Sequence, residues 1–326
     1  DGGLVGPGFG LDRGFMGFAA RGGGVEAEQK RAVEFLDQAG DGPWFLMVHT
    51  YEVHAPYEPP EGTFEIVMQR NPGGLLGRTP EPHRFYDFAQ ERKPVPAKVV
   101  KTLSDLYDEE VRYTDGIIGR LLTKLRIDGR YDDTVICLTS DHGEEFGEHG
   151  LLGHGDTLYF EQLHVPLLLR LPKAERGGTL DPGPCSLIDL APTLLDAAGM
   201  NDLREETTFI GRSLLDPTLH RSPVYALRNS AERGSLHMIR QGGRVVIRGR
   251  YFLHRPRGAR ANREYYDLAS DPKQTKSDLS GANKRIAGQL ARHLESYAES
   301  VGQAQVEGSE AALGAAAMAE LNKLGY

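Results

Sequence analysis

The sequence predicts an α/β protein: a mixed, mostly parallel sheet flanked by helices, with a small antiparallel sheet and a helix at the C-terminal end. Three observations predict it. An apolar, β-branched run, Val135 to Leu138, gives way abruptly to a polar, glycine-broken loop, as at the carboxyl end of a strand buried on both faces. Val100, Leu103, Tyr107, Val111, Thr114, Ile118, Leu121 and Leu125 recur at helical spacing and form an apolar stripe. From about Pro217 short β-like runs alternate with glycines, as hairpins do. The expected division is residues 1–216 for the α/β domain and residues 217–326 for an α+β subdomain with a helical tail.

Composition narrows the function. The chain has 326 residues, 39% of them apolar, and a net charge of 38 − 46 = −8, which does not suit a nucleic acid or an anionic membrane as partner. No apolar run is long enough to span a bilayer. The two cysteines, Cys137 and Cys185, make no disulfide framework, and Cys137 reads as a small core residue of its strand. The chain opens on Asp1, without a signal-peptide pattern, so the expectation is a segment of a longer protein.

In chain order, residues 1–21 are rich in glycine and aromatics and carry no period, so they read as loop. Val25 to Ala39 reads as a helix, with Ala32, Val33, Leu36 and Ala39 at helical spacing and Gly40 as its stop. Pro43 to Val48 is a second expected buried strand. It runs into a polar loop where His54 precedes Ala55 and Pro56, which favours extended backbone. Residues 58–96 are long, rich in proline and glycine and aperiodic, as lids and insertions are; His83, Arg84, Tyr86 and Arg92 are its possible substrate contacts, although each alone reads as a solvated residue. Ala97 to Leu125 is the longest helix, with Asp108, Glu109, Glu110, Arg112 and Asp115 read as structural charges mostly on its outer face. Thr157 to Leu163 and Ser186 to Ala198 read as helices, and Val165 to Leu171 as a strand. Val224–Leu227, Leu236–Arg240, Val245–Arg248 and Tyr251–His254 read as strands, and Asn283 to Ser300 as a helix.

The chemistry concentrates after the strand at Val135. Asp141, His142, Glu144, Glu145, Glu148, His149 and His154 fall in one short loop broken by five glycines, 143, 147, 150, 153 and 155. In open α/β sheets ligands bind at the carboxyl ends of strands, and an adjacent carboxylate and imidazole can both reach one metal ion. Each histidine singly reads as a surface residue; the cluster does not.

Ser140-Asp141-His142-Gly143-Glu144, then Gly147-Glu148-His149-Gly150 and Gly153-His154-Gly155, resemble the sulfatase family of the alkaline-phosphatase-like superfamily. Further resemblances lie at Phe9 to Phe15, at His54-Ala55-Pro56-Tyr57, at Asp189-Leu190-Ala191-Pro192-Thr193, at Gly211 to Leu215 and at Tyr265 to Pro272. The resemblance implies hydrolysis of sulfate esters of small molecules or glycans. Asp141 and His142 would bind a divalent cation, Ca²⁺ by resemblance. Mn²⁺ and Zn²⁺ are the alternatives, because imidazole suits them better. It also implies that His54 and His154 bind the substrate and act in catalysis, His154 standing where many sulfatases have lysine.

The family nucleophile comes from Cys-x-Pro-x-Arg, which neither Cys137 nor Cys185 matches, and the family's early Asp-Asp pair is likewise absent. The expectation is that a preceding segment completes the site and that this chain alone is inactive. The same fold serves phosphodiesterases, phosphonate monoester hydrolases and phosphoethanolamine transferases, and a non-catalytic binding protein remains the further alternative. The resemblance slightly favours a periplasmic or secreted location.

Overall fold

The computed structural model describes residues 12–19, 22–60, 63, 95–181, 183–200, 202, 209–216, 223–230, 234–250 and 261–308. The expected strand Tyr251–His254, the tail beyond residue 308, the segment Phe9 to Leu11, and His83, Arg84, Tyr86 and Arg92 lie outside them. The described chain divides into two compact units. One takes the residues up to Tyr131 together with Phe146–Gly153, and the other takes Asp132–Glu145 and the residues from His154 onward.

In the first unit, helix α1 (Gly24–Gln38) buries Val25, Ala32 and Leu36, the face its spacing predicts. Helix α2 (Ala97–Ile127) buries Leu103, Leu106, Ile117 and Leu125. Leu103 and Leu106 pack with Ala55, Tyr57 and Leu152, so the segment that carries His54 rests on this helix. Two of the charges expected on the outer face of α2 lie inside: Glu109 is fully buried and Glu110 is 2% exposed, as is Asp105, while Arg112 and Asp115 are exposed as expected. Asp105 and Glu109 are each paired with a cation, whereas Glu110 is met through one oxygen only, its Oε2 being buried without a hydrogen-bond partner among the described residues. Lys101 Nζ reaches Asp105 at 2.6 Å and Arg112 Nε reaches Glu109 at 3.1 Å. Glu110 accepts the Glu58 N–H at 2.6 Å, and burial pushes its pKa from 4.5 up to about 9, so it is held as the neutral acid.

Pro43 to Val48 forms no strand among the described residues. Phe45 is 62%, Met47 60% and Val48 41% exposed. A strand exists through its ladder, and no described segment provides one here. Apolar composition alone therefore led to the wrong element.

In the second unit, β1 (Ile136–Thr139) pairs antiparallel with β4 (Leu167–Arg170), Ile136 opposite Arg170 and Thr139 opposite Leu167. Its residues are half-buried or exposed, not enclosed on both faces as expected, and Cys137 is half-buried. Between them in sequence come the two-residue strands β2 (Glu145–Phe146) and β3 (Leu152–Gly153), of which Phe146 and β3 belong to the first unit, and the single-turn helix α3 (Phe160–Leu163), shorter than the segment predicted. Ser186 opens a capping box onto a 3₁₀ turn at Leu187–Asp189, which leads into α4 (Leu190–Ala197). Asp189 is buried and accepts N–H groups from Ser186 and Arg212, the packing role expected of it.

The antiparallel sheet runs in the order β5 (Val224–Ser230), β6 (Gly234–Gln241), β7 (Arg244–Arg250), β8 (Ala261–Asp267). Strand β8 went unrecognised because Ala261 to Asp267 is mostly polar. The period of two decides the packing. Ile239, Val246 and Tyr265 face helix α5 (Gly281–Gly308) through Ala287, Leu290, Ala291 and Leu294. Leu236, Met238, Val245, Ile247 and Tyr266 face Leu158, with Tyr159, Phe160 and Leu163 alongside. The segment that follows His154 is thereby fixed to a rigid sheet. Among the described residues no helix is long and apolar enough to cross a membrane.

Candidate active site

The site is built where β1 ends. Thr139 Oγ1 donates to the Pro166 carbonyl at 2.9 Å, closing the β1–β4 ladder, and the backbone then turns. Ser140 Oγ donates to the His142 carbonyl at 2.7 Å, and the His142 N–H donates to Asp141 Oδ1 at 3.0 Å. Short polar side chains compete in this way for nearby backbone, and here they hold Asp141 and His142 side by side.

The ring of His142 has a defined tautomer. Its Nδ1 lies 3.0 Å from the Gly143 carbonyl oxygen, which can only accept, so Nδ1 carries the hydrogen and Nε2 presents its lone pair. That Nε2 lies 3.8 Å from Asp141 Oδ2. Two ligand atoms each about 2.0–2.5 Å from one cation stand roughly 3–4 Å apart. The oxygen and the nitrogen therefore fit two corners of one coordination shell, and the donor set suits a divalent cation. The Asp141 side chain is 68% exposed and that of His142 31%, leaving room for further ligands.

His154 comes to the same place from the other end of the loop. Its ring stacks on that of His142, with centroids 3.9 Å apart and planes at 29°. Its Nδ1 lies 2.9 Å from Glu144 Oε1, and both side chains are largely buried, 14% and 6% exposed. The carboxylate accepts the Nδ1 hydrogen, fixes the ring and turns the Nε2 edge away from Glu144. The two arms of the loop that carry these rings meet on α3. Gly143 N donates to the Gln162 carbonyl at 2.9 Å, and Gly155 N donates to Gln162 Oε1 at 3.0 Å. A Cβ on Gly143 would overlap the Glu161 carbonyl oxygen, so glycine is required by this close approach.

Asp141, His142 and His154 are thus brought together as the sequence suggested. Glu148 is used by its own turn, accepting the Phe146 N–H at 2.6 Å. His149 belongs with the first unit, as does His54. His54 closes a turn, its N–H donating to the Tyr51 carbonyl at 2.9 Å. Its Nδ1 lies 2.7 Å from the Ala55 carbonyl and its ring stacks on Tyr51 at 4.9 Å.

Two residues escaped sequence reasoning. Glu144 was one of four carboxylates in the loop, with nothing to single it out. Gln162 lay in a segment read only as a helix, and nothing in the sequence marks it.

The Sulfatase family model matches residues 26–200 of the chain. The arylsulfatase of Clostridium perfringens is 27% identical over 259 residues, which are 74% of this chain and 51% of that protein. Among solved structures, the yidJ sulfatase of Bacteroides fragilis matches with a TM-score of 0.61 at 20% identity, over 85% of this chain and 58% of that one. The phosphonate monoester hydrolase SpPMH of Silicibacter pomeroyi matches with a TM-score of 0.58 at 19% identity, over 90% and 62%. The chain thus spans less than two thirds of each of these proteins. The structural likenesses place its fold in the sulfatase and alkaline-phosphatase-like class.

Proposed function

The chain belongs to the sulfatase family, and from that premise we propose that it forms the metal-binding and ester-binding part of a sulfuric ester hydrolase site within a longer protein. The observation that carries the reading is the pairing of Asp141 Oδ2 with the acceptor edge of His142, with His154 stacked beside them at 3.9 Å.

Asp141 and His142 would hold the cation, Ca²⁺ on the family resemblance, with Mn²⁺ or Zn²⁺ the alternatives suited to imidazole. When bound, the cation acts as a Lewis acid toward the non-bridging oxygens of a sulfate ester. The protein's own groups do the rest. The Asp141 carboxylate brings negative charge to the shell, and the Gly143 carbonyl keeps the His142 lone pair directed outward. His154, with Glu144 on Nδ1, is oriented to bind a sulfate oxygen through Nε2 and, as imidazolium, to give a proton to the departing oxygen. His54 is assigned a contact to the same ester on the resemblance of its His54-Ala55-Pro56-Tyr57 segment.

The nucleophile is proposed to come from outside this sequence. The state of the two thiols supports this. Burial pushes the Cys137 thiol up. Desolvation first, then Asp189 and Asp181, push that of Cys185 up. A thiol with a raised pKa is a poor nucleophile at neutral pH. The substrate is proposed to be a sulfated small molecule or glycan. The 326-residue chain alone should turn over no sulfate ester. The test is the protein encoded by the complete gene, assayed with an aryl sulfate and an aryl phosphonate. Sulfate turnover lost on chelation and in Asp141→Asn supports the reading. Turnover of the phosphonate in preference would replace it with phosphonate ester chemistry.

A further inference from the structure

We propose that Gln162 is the positioning residue that sets the two active-site imidazoles against each other, through four hydrogen bonds from one residue of α3. Its backbone carbonyl accepts Gly143 N at 2.9 Å, beside His142. Its side-chain Oε1 accepts Gly155 N at 3.0 Å, beside His154. Its Nε2 donates to Thr157 Oγ1 at 2.8 Å and to Glu145 Oε2 at 3.3 Å. The amide orientation is fixed by Gly155 N, which can only donate and so takes Oε1, leaving Nε2 to donate to Thr157 and Glu145. Gln162 is 3% exposed, Thr157 5% and Glu145 fully buried, so none of these bonds is made to water instead.

Both arms of the loop, 143–145 and 155–157, therefore end on one residue, through its backbone carbonyl and its side-chain amide. The helix that carries it is anchored from behind. The Phe160 N–H donates to Gln274 Oε1 at 2.9 Å and the Tyr159 hydroxyl to Glu264 at 3.0 Å, tying α3 to β8 and the turn beyond it. His142 and His154 are twelve residues apart in sequence, joined by a glycine-rich loop. Their ring stacking at 3.9 Å needs a common reference point, and Gln162 supplies it. Such outer partners orient the groups that touch a metal or substrate. The inference concerns the same site as the proposed function, but its test needs neither metal nor substrate.

The test is ring-proton NMR of the folded chain, with signals assigned through His142→Gln and His154→Gln. In the wild type each of these substitutions shifts the other ring's signal, because stacked rings shield one another. In Gln162→Glu the side chain keeps its length and the Gly155 acceptor but turns a carboxylate on Glu145. The mutual shift is expected to disappear while circular dichroism shows the sheet intact. The swap Gln162→Glu with Glu145→Gln restores a donor facing an acceptor, and the Thr157 hydroxyl can turn to donate, so the mutual shift is expected to return. If Gln162→Glu stays folded and keeps the mutual shift, or if the swap folds without restoring it, Gln162 is a packing residue only and the proposal falls. Should Gln162→Glu fail to fold, the swap alone decides by the same criterion. Absence of metal binding in the wild type would overturn the proposed function and leave this inference standing.

Discussion

At the scale of single residues, the site depends on backbone positions as much as on its ionisable groups. Asp141 and His142 are held by hydrogen bonds inside their own turn, and Gly143 is pinned against α3. Gly143→Ala would drive its methyl group into the Glu161 carbonyl. Overpacking of this kind costs about 1–3 kcal/mol, so a loss of that size is expected in urea unfolding, together with weaker metal binding. Asp141→Asn is a contrast. The side chain is 68% exposed, so stability should stay within about 0.5 kcal/mol of the wild type while metal binding is lost. Asp141, His142 and His154 were legible in the sequence because each is a chemically distinctive residue type set among glycines. Glu144 and Gln162 were not. Their roles depend on which loop positions meet across a turn, and no residue type announces that.

At the scale of elements, helix α2 carries a titratable device. Glu110 accepts the Glu58 N–H, with Glu52 and Glu58 as charged neighbours that add to the upward push of burial. Its folded pKa lies above its unfolded one. The stability it contributes is therefore fully present below about pH 4.5 and is lost as pH rises through about 9. Glu110→Gln keeps the acceptor for Glu58 and removes the charge, so it should be more stable than the wild type at pH 8 by about 1–3 kcal/mol. Urea unfolding at pH 5.5 and pH 8 checks this, and the gap must widen at the higher pH. The C-terminal sheet offers a second prediction. Leu294, 1% exposed, packs with Val246 and Tyr265, and Leu294→Ala should cost about 2–5 kcal/mol. Helices α1 and α2 were readable from their apolar spacing, and strands β5 to β7 as short β-like runs between glycines. Strand β8 was not, because its pairing with β7 is what makes a polar run a strand. Pro43 to Val48 failed for the converse reason: an apolar run is no strand without a ladder among the described residues.

At the scale of the whole molecule, the family relation and the fold class rest on features spread along the chain, and the α/β reading came from the same features. The two units were not legible. The short return Phe146–Gly153 to the first unit is decided by Leu152 and Phe146 packing with Tyr57 and Tyr107, a tertiary event inside a loop that looks uniform in sequence. The second unit gathers Asp141, His142, Glu144 and His154 and fastens them, through α3, to the antiparallel sheet. On the function proposed above, the chain is expected to bind a divalent cation through Asp141 and His142. The most direct measurement is titration of the folded chain with Mn²⁺ while its histidine ring signals are followed by NMR, since the paramagnetic ion broadens the nuclei nearest to it even when binding is weak. The account predicts that His142 and His154 broaden first, ahead of His164, His237 and His293, and that Asp141→Asn abolishes the effect. Uniform broadening of all the histidines, or broadening in Asp141→Asn equal to that of the wild type, would contradict it.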